Sequence, residues 1–170
     1  MLMPQPEERG LTFVEVMIAA SFVLLSVAVA VPHYARSRMA KNEVAAVNSL
    51  REVYQAELAY QATYPKVGFP ENIRALGGAA PCKASEKTAC LIANSVAAGL
   101  DNGFHFAAKG ETPINGANTT FTAGAAPETV NGTGTHLFCT MQDGKIRWDN
   151  NLAESSTPPD TNLCPQFRVL

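Results

Sequence analysis

From position 11 to position 31 the chain carries apolar, small or hydroxyl-bearing residues with one exception, Glu15. About 20 such residues in a row can cross a bilayer as a single helix of roughly 30 Å. After Pro32 the pattern changes, and Arg36, Arg38, Lys41, Glu43, Arg51, Glu52 and Glu57 appear among the apolar positions. Ala40, Val44, Val47, Leu50, Tyr54 and Leu58 recur at steps of three and four, which is the period of about 3.6 residues expected of an α-helix. The pattern predicts one long helix, apolar all round in its first half and striped in its second, the stripe being suited to packing on a globular domain. Pro65 ends it, because the residue before a proline is disfavoured in the helical region. Over residues 11–62 such a helix would measure roughly 78 Å at about 1.5 Å per residue. Pro32 is expected to kink it or to release backbone hydrogen bonds near Ala28.

Beyond Pro65 the apolar positions are shorter and more scattered. Residues 71–76 read as a short helix closed by Gly77-Gly78, and residues 91–100 have moderate helical character. Strand patterns follow at 103–107 and 119–123. A hairpin is expected from 136–141 and 145–148, turning at Asp143-Gly144. The fold class is therefore α+β: the striped half of the helix packed on a three- or four-stranded antiparallel sheet. Phe104 or Phe106, Phe121, Phe138, Ile146 and Trp148 are the core candidates. Residues 150–170 are rich in Pro and Ser and show no period.

Composition changes this picture in two ways. The formal net charge of −2 offers no basic surface, so nucleic acid is not an expected partner. The four cysteines, Cys82, Cys90, Cys139 and Cys164, all lie in the second half of the chain. An even number outside the cytosol reads as two disulfides. Three pairings are open; Cys82–Cys90 with Cys139–Cys164 is favoured because each closes a surface loop. The absence of a C-x-x-C pair speaks against zinc.

The N-terminal run has two ordinary readings, a membrane anchor and a secretory signal peptide, the latter because Ala28-Val29-Ala30 matches the A-x-A cleavage pattern. Against a signal peptide stand Glu7 and Glu8 opposite a single Arg9, and the carboxylate of Glu15 inside the apolar core. A third reading rests on residues 9–15, Arg-Gly-Leu-Thr-Phe-Val-Glu. This stretch resembles the processing site of type IV prepilins and of the pseudopilins of type II secretion. The matching features are a polar leader ending in Gly10, a cut before Leu11, a glutamate at the fifth mature position (Glu15), and a proline at the twenty-second (Pro32). The resemblance covers roughly residues 1–65 and is architectural beyond.

The resemblance implies a leader over residues 1–10, a transmembrane and filament-core helix over 11–32, its amphipathic half over 33–64, and a pilin head over 65–170 with a disulfide-closed C-terminal loop. It implies cleavage between Gly10 and Leu11, N-methylation of Leu11, and assembly through Leu11 and Glu15. The expected partners are further copies of the chain in a helical filament, a prepilin peptidase and an inner-membrane assembly platform. The expected location is the inner membrane before assembly and a cell-surface pilus afterwards, or a periplasmic pseudopilus. Arg36, Arg38 and Lys41 after the span would place the C-terminal part in the cytoplasm by charge alone; the cysteines and the resemblance argue for the opposite orientation.

An ionisable side chain in a membrane segment points to function, since it costs about 2.5–3.5 kcal/mol near a helix centre on insertion scales. Within an apolar filament core a lone carboxylate is unfavourable and a paired one is tolerated. The amine freed at Leu11 would supply the pair, on a neighbouring subunit or on the same chain. The plainer role for Glu15 is to reach the interface or to stabilise a helix N-terminus.

No catalytic constellation is evident. His33, His105 and His136 are scattered, and residues 131–134 lack the Lys-Ser/Thr of a phosphate loop. No enzyme activity and no resident cofactor are expected. Calcium is the one ion to consider, through Asp143, Asp149, Asn151 and Asp160, since hard oxygen ligands suit it and major pseudopilins hold it near their C-terminal loop. Tyr34, Tyr54, Tyr60 and Tyr64, with Phe13 and Phe22, read as packing or interfacial aromatics rather than as an electron path. Three functions follow: a structural filament subunit, a secretion pseudopilin, or a secreted binding domain behind an ordinary signal peptide.

Overall fold

The computed structural model describes residues 12–151 and 153–170, so the leader and the Gly10–Leu11 junction lie outside the described residues. They fall into two compact units, one up to Ser37 and one from Arg38 onward.

Helix α1 runs over Phe13–Thr63, with Pro32 inside it. In the first unit the described side chains from Thr12 to Val31 are exposed. Two serines interrupt this greasy surface, and each turns its hydroxyl back on the helix: Ser21 Oγ donates to the carbonyl of Met17 and Ser26 Oγ to that of Phe22, both at 2.8 Å. Each hydroxyl thus has a partner within the helix itself. Among the described residues α1 is the one helix long and apolar enough to cross a membrane.

In the second unit α1 meets an antiparallel sheet of six strands in simple sequential order: β1 (Leu100–Asp101), β2 (Phe104–Ile114), β3 (Ala117–Pro127), β4 (Leu137–Met141), β5 (Arg147–Asp149) and β6 (Arg168–Val169). Three or four strands were expected. The extra ones are the two-residue pairings at each end, too short to carry a period of their own. β2 and β3 are also far longer than the pattern suggested. They are joined by Asn115-Gly116, both at positive φ (52° and 86°), the backbone that a tight two-residue hairpin demands. Short Ile73–Leu76 is a 3-10 turn capped by the Asn72 side chain, and helix α2 covers Asn94–Ala98.

The core lies between α1 and one face of the sheet. Phe104 and Phe106 alternate on β2 and are both buried, with Phe121, Phe138 and Ile146 beside them; Trp148 is partly buried against this cluster. From α1 come Ala46, Val47, Leu50, Val53, Ala56 and Tyr60. The helix is therefore turned from the expected stripe: Val47 and Leu50 are shared and Tyr54 packs partly buried against the core, whereas Val44 remains 62% exposed and Leu58 36% exposed. The small side chains of Ala46 and Ala56 line the face that packs, and that face includes Glu57, which a hydropathy count assigns to solvent.

The opposite face of β3 is covered by the aperiodic tail. Gly124 leaves room for Pro159: a Cβ there would lie 2.5 Å from the Pro159 carbonyl oxygen and 2.9 Å from its nitrogen. Thr122 and Thr161 share a hydroxyl contact of 3.0 Å, and Thr161 also donates to Glu111. Cys139 is bonded to Cys164, both fully buried, which ties this tail to β4. Cys82 is bonded to Cys90 in an exposed loop. That loop is hung on the 3-10 turn by backbone bonds from Ala89, Cys90 and Leu91 to Ala75, Gly77 and Leu76.

Candidate functional site

The candidate site is the beginning of α1. Thr12 stands just before the first helical residue and Glu15 three positions later. Thr12 donates from its backbone nitrogen (2.8 Å) and from its hydroxyl (2.9 Å) to Glu15 Oε2, while the Glu15 backbone N–H reaches Thr12 Oγ1 at 3.3 Å. This reciprocal arrangement is a capping box, which satisfies helix-start donors that would otherwise be unpaired. The signal for it, Thr-x-x-Glu ahead of an apolar run, was present in the sequence but was overshadowed by the spacing of Glu15 from Gly10.

The cap changes what the carboxylate can do. Oε2 is occupied twice by Thr12, and Oε1 accepts no hydrogen bond among the described residues. The side chain is thus held by one oxygen and presents the other. Phe13, Val14, Met17, Ile18, Phe22 and Leu25, on the same stretch of helix, are all exposed. A cation that docks there would meet a pre-oriented acceptor, and a charge-assisted bond is stronger than a neutral one. Leu11, the other residue assigned to assembly, lies outside the described residues.

Several other polar groups pair with one another within the second unit. Glu43 accepts at one oxygen from the Thr135 backbone N–H (2.7 Å), the Thr135 hydroxyl (2.9 Å) and the His136 backbone N–H (3.2 Å), with His136 Nδ1 at 3.0 Å. His136 also stands edge-on to Trp148, with ring centres 5.1 Å apart, and Arg168 lies over the same indole. This group was not legible from sequence, since its members come from α1, the segment entering β4 and two later strands. His33 is exposed and His105 half-buried on β2.

The four oxygen-bearing residues considered for calcium are engaged separately. Asp143 holds Arg147 through two bonds of 2.6 and 3.0 Å, and this guanidinium keeps its carboxyl below the usual range. Asp149 and Asn151 stabilise the turn after β5, and Asp160 accepts from the N–H groups of Asn162 and Leu163, which lowers its pKa. Among the described residues no three His, Cys, Asp or Glu side chains are grouped as a metal site requires. The aromatics form short contacts inside the head, Tyr54–Phe121–Phe69 and Tyr60–Tyr64. No protein-family model, curated protein or solved structure matches the chain.

Proposed function

We propose that this chain is the structural subunit of a type IV pilus-like filament, assembling through the apolar first half of α1. The observation that carries the reading is the half-used carboxylate of Glu15: one oxygen fixed by Thr12, the other presented on an otherwise apolar, exposed helix. A carboxylate in that position is costly unless a cation meets it. Processing between Gly10 and Leu11, as in the prepilins that residues 9–15 resemble, would create such a cation at the new N-terminus. A neighbour's amine on Oε1 would then reward one axial register between packed helices. The two disulfides fit a head displayed outside the cytoplasm.

Two measurements on the protein made in its own cells test this. Mass spectrometry of the mature chain should show a start at Leu11, N-methylated by analogy with prepilins. Sheared filaments should be abundant for the natural chain and scarce for Glu15→Ala and Glu15→Leu, with both variants still in the membrane fraction. A start at Val31 would identify a secreted domain, and normal filament yield from both variants would remove the registry role. Short periplasmic assemblies in place of surface fibres would assign the chain to a secretion pseudopilus.

A further inference from the structure

Glu57 lies on the packed face of α1, between Val53 one turn before and Tyr60 three residues after, with none of its surface exposed. Both of its carboxyl oxygens are buried, and neither has a hydrogen-bond partner among the described residues. Every other acid discussed above that lies among the described residues has a partner or faces solvent. A carboxylate without water, cation or donor is strongly disfavoured, whereas a neutral carboxylic acid loses far less on burial. The position is central: Val53, Ala56 and Tyr60 around it belong to the core shared by the helix and the sheet.

We propose that Glu57 is a proton-operated latch in the head: as a neutral acid it lets the helix face pack beneath the sheet, and its ionisation in alkaline surroundings releases that face. Among the described residues the surroundings offer no alternative partner. On α1 itself the titratable neighbour is Tyr60, whose hydroxyl donates to the Glu86 carbonyl at 2.6 Å in the disulfide-closed loop. Burial raises the pKa of Tyr60, and Glu86, Tyr64 just after α1, Glu57 and Glu71 before the 3-10 turn act on it in the same direction. No cation from the loop, the turn or the sheet shifts Glu57; burial alone moves it, to about 8. This inference is independent of filament assembly, because every group in it belongs to the head.

The test uses the full chain in detergent micelles. The carboxyl carbon of Glu57, followed by NMR and assigned by its loss in Glu57→Gln, should titrate near pH 8 rather than near pH 4.5. Hydrogen-exchange protection factors of residues 50–60, which remove the intrinsic base catalysis of exchange, should fall in the natural chain as pH rises towards that titration point and stay flat in Glu57→Gln. In denaturation series, the ratio of the natural chain's unfolding constant to that of Glu57→Gln should rise about tenfold per pH unit and level off above the titration point, as linkage of one proton requires. A midpoint in the ordinary carboxyl range would overturn the proposal. So would identical pH profiles for the two proteins. Should Glu57→Gln fail to fold, the exchange profile of the natural chain and a Glu57→Asp comparison of carboxyl titrations decide the matter.

Discussion

Glu43 and His136 are 93 positions apart in the chain, yet a single oxygen of Glu43 lies within 3.2 Å of the His136 backbone nitrogen and 3.0 Å of its ring. The same oxygen accepts from Thr135. One side chain of α1 thus satisfies the start of β4, where two successive N–H groups have no strand partner. Glu43→Ala leaves these part-buried donors without the carboxylate, and because water can reach them the cost should lie at the low end of the range of about 1–3 kcal/mol for an unpaired buried donor. Thermal melts should show that loss, with Glu43→Gln intermediate because its amide oxygen still accepts. Equal stability of all three would show that water replaces the carboxylate there.

Thr12 is predicted to matter to assembly through Glu15. In Thr12→Val the hydroxyl is lost at nearly constant volume, while the backbone donor remains. Loss of such a cap costs about 1 kcal/mol of helix stability. Sheared-filament yield should fall, though less than in Glu15→Ala. Hydrogen exchange in the first turn of α1 should quicken. Unchanged yield with quickened exchange would assign the cap to helix stability alone.

The two disulfides should behave differently towards reductant. Cys82–Cys90 is exposed and closes a short loop of separation 8, whereas Cys139–Cys164 is buried and spans 25. Mild reduction followed by alkylation should label Cys82 and Cys90 first. Chain-entropy arguments assign roughly 2–3 kcal/mol to the short loop and 3–4 to the long one. Paired Cys→Ala variants should reproduce that order in denaturant midpoints; the reverse order would show that local packing, rather than loop closure, decides what each bridge contributes.

Two glycines of the β2–β3 hairpin give a paired test. Gly124→Ala drives a Cβ into the Pro159 backbone, which no rotamer change can relieve. It should loosen residues 153–163, seen as faster cleavage in limited proteolysis, and lower stability by about 1–3 kcal/mol, as overpacking does. Gly116→Ala has open space but sits at φ 86°. It should cost only the left-handed strain of about 1–2 kcal/mol, and leave the tail protected.

Acid should act on the Asp143–Arg147 pair. The paired carboxyl titrates below its ordinary value, so its contribution is full above the unfolded pKa and is lost as pH falls through the folded one. Asp143 is more than one-third exposed, which keeps the stabilisation within the range of about 0–1 kcal/mol typical of surface pairs. Asp143→Asn should remove part of the stability loss seen below about pH 4 in melts of the natural chain. A variant with an unaltered acid profile would show the pair to be energetically silent.

Particular elements show how far the sequence could be read. The long α1 was visible because apolar residues over 11–31 and a helical period afterwards both persist over many turns. The hairpin at Asp143-Gly144 was visible through its turn residues. The longer hairpin at Asn115-Gly116 carried an equally good turn signal. Its strands were expected only over 103–107 and 119–123, and β2 runs on through Gly110, Glu111, Thr112 and Pro113 to Ile114; Gly110 is there because the 69–70 backbone crosses it, its N–H donating to the Pro70 carbonyl.

By itself the sequence determined the class of molecule: an apolar helix that continues into a packing helix, an antiparallel sheet after it, and an even set of cysteines. Those features are local or periodic, so short windows contain them. Only the tertiary structure decided which face of α1 is buried, that Glu57 lies within it without a partner, that Glu43 caps β4, and that the aperiodic tail covers Gly124. These depend on contacts between residues tens of positions apart, where small side chains and a missing Cβ set the distance of approach, and no window of the chain records them.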